Sequence, residues 1–303
     1  MDLTPPSVVE LRGVSKRYAS VQALRDISVA VEPGGVVAFL GPNGAGKSTS
    51  IAMMLGLRQP TQGQALLFGR PPRSPEARSR TGVMLQESGV PAMLKVRELI
   101  DLFRSYYPRP LDTAELLERS GLAEQAGKRI GSLSGGQKQR VYFALSLAGN
   151  PEVMFLDEPT TGLDVEARRH FWQQIRDFAA RGRTIILTTH NLEEADALAR
   201  RIVVIDHGRI IADGTPAAIK AHTAGKQVSF QLNRLPDRGF FDVLPLSGLS
   251  IVDHEVRFLS AQPEAALQAL FTAGYELADL EVVPAGLEEA FLALTSGADE
   301  VAG

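Results

Sequence analysis

Residues Gly41 to Thr49 read GPNGAGKST, and this stretch limits what the chain can fold into more than any other. The pattern is G-x-x-x-x-G-K-[ST], a phosphate-binding P-loop. It follows the apolar run Val36-Val37-Ala38-Phe39-Leu40, which reads as a buried strand, and precedes Ser50–Leu57, which reads as a helix. A strand, a glycine loop and a helix in that order imply a parallel α/β sheet with phosphate held at a strand end. Gly41, Gly44 and Gly46 let the loop bring backbone N–H groups against phosphate oxygens, with Pro42, Asn43 and Ala45 filling the turn. The helix N-terminus adds partial positive charge. Lys47 reaches β- and γ-phosphates, the Ser48 hydroxyl is placed to ligate Mg²⁺, and Thr49 completes the motif. A glycine-rich turn before a core helix would leave Lys and Ser at these positions unexplained.

The remaining composition narrows the class. The chain has 303 residues, enough for one large or two smaller domains. Its net charge of −3 argues against a broad nucleic-acid surface. Cysteine is absent, which excludes disulfides, cysteine metal sites and thiol catalysis and fits a reducing cytosol. The opening MDLTPPSVVELRG lacks a basic stretch followed by an apolar one, so no secretory signal is expected. No apolar run reaches the roughly 18 residues of a membrane span, so any membrane role is expected to pass through a partner.

From Val8 to about Ala221, short apolar strands alternate with amphipathic helices. Strands are expected at Val8–Leu11, Ile27–Val31, Val36–Leu40, Ala65–Phe68, Gly82–Leu85, Val153–Leu156, Thr184–Thr188, Ile202–Ile205 and Arg209–Asp213. Strand signals vanish between Glu87 and Asn150. There Val96, Leu99, Ile100, Phe103 and Tyr107 form a helical stripe, followed by helices at Asp112–Leu122 and Gly135–Ala148. An all-helical insert of about residues 87–150 thus interrupts an α/β domain spanning 1–222. Residues 223–303 read as a small α+β domain. Its strands are Gln227–Leu232, Ser250–Asp253, Glu255–Leu259 and Leu277–Val283, and its helices Glu264–Ala273 and Leu287–Leu294. Phe258, Leu267, Leu270, Phe271, Leu280, Phe291 and Leu294 are its expected core.

Two further motifs carry chemistry. Val153–Leu156 followed by Asp157 and Glu158 is an apolar strand ending in paired carboxylates, a Walker B pattern. Asp157 would join the Mg²⁺ shell and Glu158 would polarise the attacking water. Ser132-Leu133-Ser134-Gly135-Gly136-Gln137 offers a second capped helix start with exposed N–H groups. One nucleotide needs only one P-loop, so this site makes sense if it serves nucleotide held by another subunit; a plain capped helix is the competing reading.

Leu133–Gln137 (LSGGQ), with GPNGAGKST before it and FLDEPTTGLD after it, resembles the ATP-binding subunit of ABC transporters over about Val8 to Ala221. The resemblance implies a P-loop NTPase ABC ATPase core, with ATP and Mg²⁺ as ligands. Tyr18 matches the aromatic that stacks on adenine, though an amphipathic surface tyrosine would look the same. Gln86 matches the Q-loop glutamine that reaches Mg²⁺ or water, though it could simply cap its strand. Asp164 matches the D-loop at the dimer interface and suits an N-cap as well. His190, at the end of Ile185–Thr189, matches the switch histidine beside the γ-phosphate. Ser134, Gly135, Gly136 and Gln137 would act in trans.

Met84–Gly89 and Leu287–Thr295 resemble a narrower group, the ATPase partners of ABC-2-type drug, daunorubicin and sodium exporters. The expected protein is then an ATPase, peripheral on the cytoplasmic face of the membrane. It would be paired with a separate permease chain and form a homodimer or heterodimer, with no nucleic acid expected. A soluble ABC ATPase acting on nucleic acid or ribosomes is the alternative.

Overall fold

The computed structural model describes residues 7–86, 89–221, 225–235 and 239–299. Glu87 and Ser88 of the expected exporter motif, and the division expected at 222/223, lie outside the described residues. Contacts divide the chain into Met1–Thr215 and Pro216–Gly303.

The first unit begins with β1 (Val9–Tyr18), β2 (Val21–Val31), β3 (Gly35–Leu40), α1 (Lys47–Met54), β4 (Gln62–Leu67), α2 (Pro75–Arg78) and β5 (Thr81–Met84). A helical segment follows, with α3 (Val96–Arg104), α4 (Thr113–Arg119) and α5 (Gly135–Leu147). The chain then returns to β6 (Val153–Asp157), α6 (Val165–Ala180), β7 (Thr184–Thr189), α7 (Leu192–Leu198), β8 (Arg201–Asp206) and β9 (Arg209–Gly214). Six strands form the central sheet in the order β5-β6-β7-β3-β8-β9. The first five are parallel and β9 returns antiparallel. Every residue of β6 and β7 is buried, as covering on both faces requires. An antiparallel sheet, β2-β1-β4, shares a core with α1 built on Leu11, Leu24, Ile27, Phe39, Ile51 and Met53.

Local signals set the helix ends. Asp164 accepts a hydrogen bond from Ala167 N at 2.7 Å and starts α6, which buries Phe171, Trp172, Ile175 and Phe178. Ser134 and Gln137 cap α5 reciprocally. Helix α3 stops at Arg104, before Tyr107, because Pro108 and Pro110 follow closely. Tyr107 therefore falls off the expected helical stripe, and its ring covers Gly149, where a Cβ would sit 2.3 Å from it. Strands β1 and β2 form a longer hairpin than the short apolar runs Val8–Leu11 and Ile27–Val31 suggested. Their outer halves place buried Val14 and Leu24 among polar residues and are held by ladder pairing out to Tyr18 and Val21.

The second unit contains α8 (Pro216–Lys220), β10 (Lys226–Leu232), β11 (Ser247–Val252), β12 (Glu255–Ser260), α9 (Pro263–Thr272), β13 (Leu277–Pro284) and α10 (Leu287–Asp299). Its sheet is antiparallel, in the order β11-β12-β10-β13. Val228, Phe230 and Leu232 alternate inward along β10 and meet Val256, Phe258, Ala266 and Leu270. Four expected core residues are not in it: Phe271 is 54% and Leu280 40% exposed, and Phe291 and Leu294 lie outside the cluster. Ala266 and Leu270 are one helical turn apart and define the inner face of α9, so Phe271 turns outward; Leu280 lies on an edge strand. Leu267 is half-buried against the core, whereas Phe291 and Leu294 are half-buried on α10, which packs on α8.

Candidate active site

The carboxyl ends of β3, β5, β6 and β7 gather Gly41–Thr49, Gln86, Asp157, Glu158 and His190 at one edge of the parallel sheet, where α/β folds bind ligands. Strand β3 delivers Gly41, whose Cβ, if present, would lie 2.1 Å from Ile205 O. Gly46 has φ 111° and closes against Ala23. The P-loop is therefore wedged between β8 and β2, which leaves α1 starting at Lys47. The Lys47 amine is 4% exposed and donates to Gly41 O at 2.7 Å and Pro42 O at 3.0 Å. Burial lowers its pKa, while the charges of Glu158 and Asp157 pull it back up.

Asp157 is the last residue of β6 and pairs in register with Thr188 of β7. Its Oδ1 accepts from Ser48 Oγ at 3.1 Å and from Thr188 Oγ1. Thr188 has a second task, because its carbonyl and hydroxyl oxygens each accept from Glu158 N at 3.1 Å. Thr188 was not singled out from the sequence. Its signal was a pair of hydroxyl residues, Thr188 and Thr189, ending an otherwise apolar strand beside the acidic end of β6.

Glu158 has φ 48°, a left-handed conformation rare for a residue with a Cβ. That turn carries its side chain to a meeting point of three other segments, with Thr161 of its own loop alongside. Oε1 lies 3.8 Å from Lys47 Nζ and 3.4 Å from His190 Nδ1. Oε2 accepts from Gln86 Nε2 at 3.4 Å and from Thr161 Oγ1 at 3.3 Å. The carboxylate is only 10% exposed, against 51% for the His190 side chain. An acid surrounded by one cation and three further polar groups is suited to accept a proton from water.

The remaining expected residues fall in two places. Tyr18 is 41% exposed at the tip of the β1–β2 hairpin, with Lys16 Nζ 5.0 Å from its ring. The same hairpin touches the P-loop through Ala23 and Leu24. Ser134–Gln137 and Arg140 line one side of a separate groove of about 480 Å³, with Gly162–Asp164 and His170 opposite. None of its lining comes from Gly41–Thr49. Ser134 Oγ accepts from Gln137 N at 3.3 Å, and Gln137 Oε1 from Ser134 N at 3.1 Å. Both side chains are thus used in capping, and the backbone of Gly135 and Gly136 forms the first turn.

Residues 24–161 match the ABC transporter family. Over 303 aligned residues the chain is 37% identical to the Nod factor export ATP-binding protein I of Paraburkholderia xenovorans, covering 96% of this chain and 98% of that protein. The chain belongs to the ATP-binding subunits of ABC transporters. It is also 38% identical to a daunorubicin resistance ATP-binding protein of Streptomyces coeruleorubidus, over 95% of this chain and 96% of the relative. Among solved structures, it is similar to an ATP-binding subunit of an ABC transporter (TM-score 0.64, 28% identity, 71% of this chain and 92% of that one). A dimeric ATP-binding cassette in a post-hydrolysis state with ADP and Pi is similar too (TM-score 0.62, 25% identity, 68% of this chain and 98% of that one). The P-loop NTPase fold expected of an ABC ATPase, with its α/β core, is thereby established. Among the described residues, no helix of this ABC subunit is long and apolar enough to cross a membrane.

The donors present suit Mg-ATP. Ser48 and Asp157 present hard oxygen ligands 3.1 Å apart, the set a cation takes when phosphate and water complete its shell. The P-loop lies alongside, and Gly44, with φ 82°, has nothing within 4 Å of where its Cβ would be. That is the close backbone approach a polyphosphate needs.

Proposed function

We propose that this chain is the ATP-hydrolysing subunit of an exporter, driving a drug, lipid or other small molecule through a separate ABC-2-type permease. The observation that carries the hydrolytic part is the convergence of Lys47, Gln86 and His190 on the Glu158 carboxylate. Export is supported by the relatives, which are named for Nod factor export and daunorubicin resistance. The chain would act as a peripheral protein on the cytoplasmic face of the membrane, held there by the permease.

In this reading Gly41–Thr49 bind the phosphates and Tyr18 stacks on adenine. Ser48, Asp157 and Gln86 would hold Mg²⁺. The cation would supply positive charge at the β- and γ-phosphate oxygens. Glu158 takes the proton of the attacking water, and His190 donates a hydrogen bond to the γ-phosphate. Lys47 offsets the charge that builds on the transferred group. Ser134–Gln137 and Asp164 serve the nucleotide of a second subunit, because their groove takes no lining from their own P-loop. Two copies, or one copy and a close homologue, then close two composite sites, and hydrolysis releases them.

The test is mixed-subunit complementation with localisation. Ser134→Arg and Lys47→Ala chains, each inactive alone, should regain ATPase activity when combined, since one composite site then has both intact halves. Confirmed mixed dimers no more active than their parents would remove the shared site. Detergent-solubilised membranes should yield the chain with a multi-span protein lacking its own cassette. Recovery in the ribosomal pellet instead would overturn the exporter assignment.

A further inference from the structure

Glu194 is fully buried on α7, and the hydrolytic scheme leaves it unused. The sequence gives little warning, since Glu193-Glu194 in a helix's first turn reads as a solvated acidic N-terminus. Only Glu193 is exposed; Glu194 turns inward. Its Oε1 accepts from Thr160 Oγ1 at 2.9 Å and from Trp172 Nε1 at 3.0 Å. Oε2 has no hydrogen-bond partner among the described residues. Burial raises the pKa, while the hydrogen bonds from Thr160 and Trp172 and the charge of Arg168 act the other way. A carboxyl with an unpartnered oxygen costs stability, and an apolar side chain of the same size would avoid that cost.

The position accounts for the cost. Thr160 lies in the loop that leaves Glu158 and ends at Asp164, the N-cap of α6. Trp172 lies on α6 itself. Helix α7 starts immediately after His190 and is capped by Asn191, whose Oδ1 accepts from Glu194 N at 3.2 Å. One carboxyl oxygen therefore pins the loop beyond the proposed base to the helix beyond the proposed switch histidine. We infer that Glu194 is a positioning residue: through Thr160 it fixes the Glu158–Asp164 loop against the His190 segment. The 3.4 Å spacing of Glu158 and His190 then holds when a neighbouring subunit presses on that loop. This rests on the hydrolytic reading above.

Thr160→Val and Trp172→Phe separate positioning from packing, because each removes one donor to the same oxygen from a different element. In the full-length chain, Thr160→Val should lower kcat about tenfold, the scale of one hydrogen bond to a buried carboxyl, with KM and equilibrium ATP affinity within about twofold. Trp172→Phe should lower Tm by about 3 °C and keep kcat within about twofold. Thr160→Ser restores the hydroxyl and should restore kcat. As a second route, Glu194→Gln keeps an acceptor for both donors and should hold kcat, whereas Glu194→Leu should lose it without a fall in Tm. Wild-type kcat in Thr160→Val or Glu194→Leu overturns the inference, as does an equal kcat loss in Trp172→Phe. A wild-type chain that fails to hydrolyse Mg-ATP would instead overturn the hydrolytic reading beneath it.

Discussion

The two units bury their strands differently, and their chemistry follows from that. In the six-stranded sheet, β6 and β7 are buried along their whole length. A strand covered on both faces has little room for polar side chains except where it ends. Asp157, Thr188, Thr189 and His190 fall at such ends, and parallel strands bring their ends to one edge. In the four-stranded sheet only one face is covered. Strand β10 alternates buried Val228, Phe230 and Leu232 with more accessible residues, and β11 is exposed throughout. Among the described residues, polar groups there are spread along the strands. The first architecture focuses reactive groups, whereas the second builds a surface.

The sharpest way to break this comparison is to remove the proposed base. Glu158→Gln keeps size and hydrogen bonding, so Mg-ATP binding should survive while steady-state phosphate release falls by about 10²–10⁴-fold. No single substitution in Pro216–Gly303 should approach that. One that does would place part of the chemistry in the second unit.

A smaller effect tests whether the units are energetically separate. Phe155→Ala in β6 and Phe258→Ala in β12 both empty fully buried sites, each at about 3–5 kcal/mol. Chemical denaturation with nucleotide binding followed in parallel should distinguish them. Phe155→Ala should weaken binding and the main transition together. Phe258→Ala should shift a transition that leaves binding intact. A single merged transition in both variants would show that the second core supports the first.

The smallest effect is a surface pair. Arg80 holds Glu152 through two hydrogen bonds of 2.6 and 2.7 Å, and the guanidinium keeps that carboxyl below its ordinary pKa. A depressed acid stabilises the fold above its unfolded pKa of about 4.3, and this is lost as pH falls through the lower folded value. Both side chains are well exposed, so the pair should contribute about 0–1 kcal/mol at neutral pH. Wild type and Arg80→Ala should therefore converge in urea stability once the solution is acidified below the folded pKa. A gap that persists there would assign the effect to Arg80 stacking on Phe68, 3.7 Å away.

The site was legible where chemistry dictates residue type and spacing together. The P-loop, the acidic end of β6, and His190 at a strand end each have a physical reason visible in one dimension. What stayed hidden depends on register and rotation. Thr188 matters because β6 and β7 align it with Asp157, which no local pattern states. Glu194 looks like any acid near a helix start until the fold turns it inward. The second unit was read correctly in its strands but less well in its core. Phe271 and Leu280 are apolar at plausible positions, yet neighbours on α9 and an edge location leave them exposed. The β1–β2 hairpin was underestimated because backbone pairing more than apolar patterning extends its outer half.

The left-handed backbone at Glu158 also sets a direction for sequence drift. An L residue is held there about 1–2 kcal/mol above its preferred region, and glycine would relieve that at once. A population screened only for resistance to heat would discard this glutamate early. Its descendants would be sturdier proteins that still carry an intact P-loop but have lost the group proposed to activate water. Durability and the proposed water activation select opposite residues at this one position.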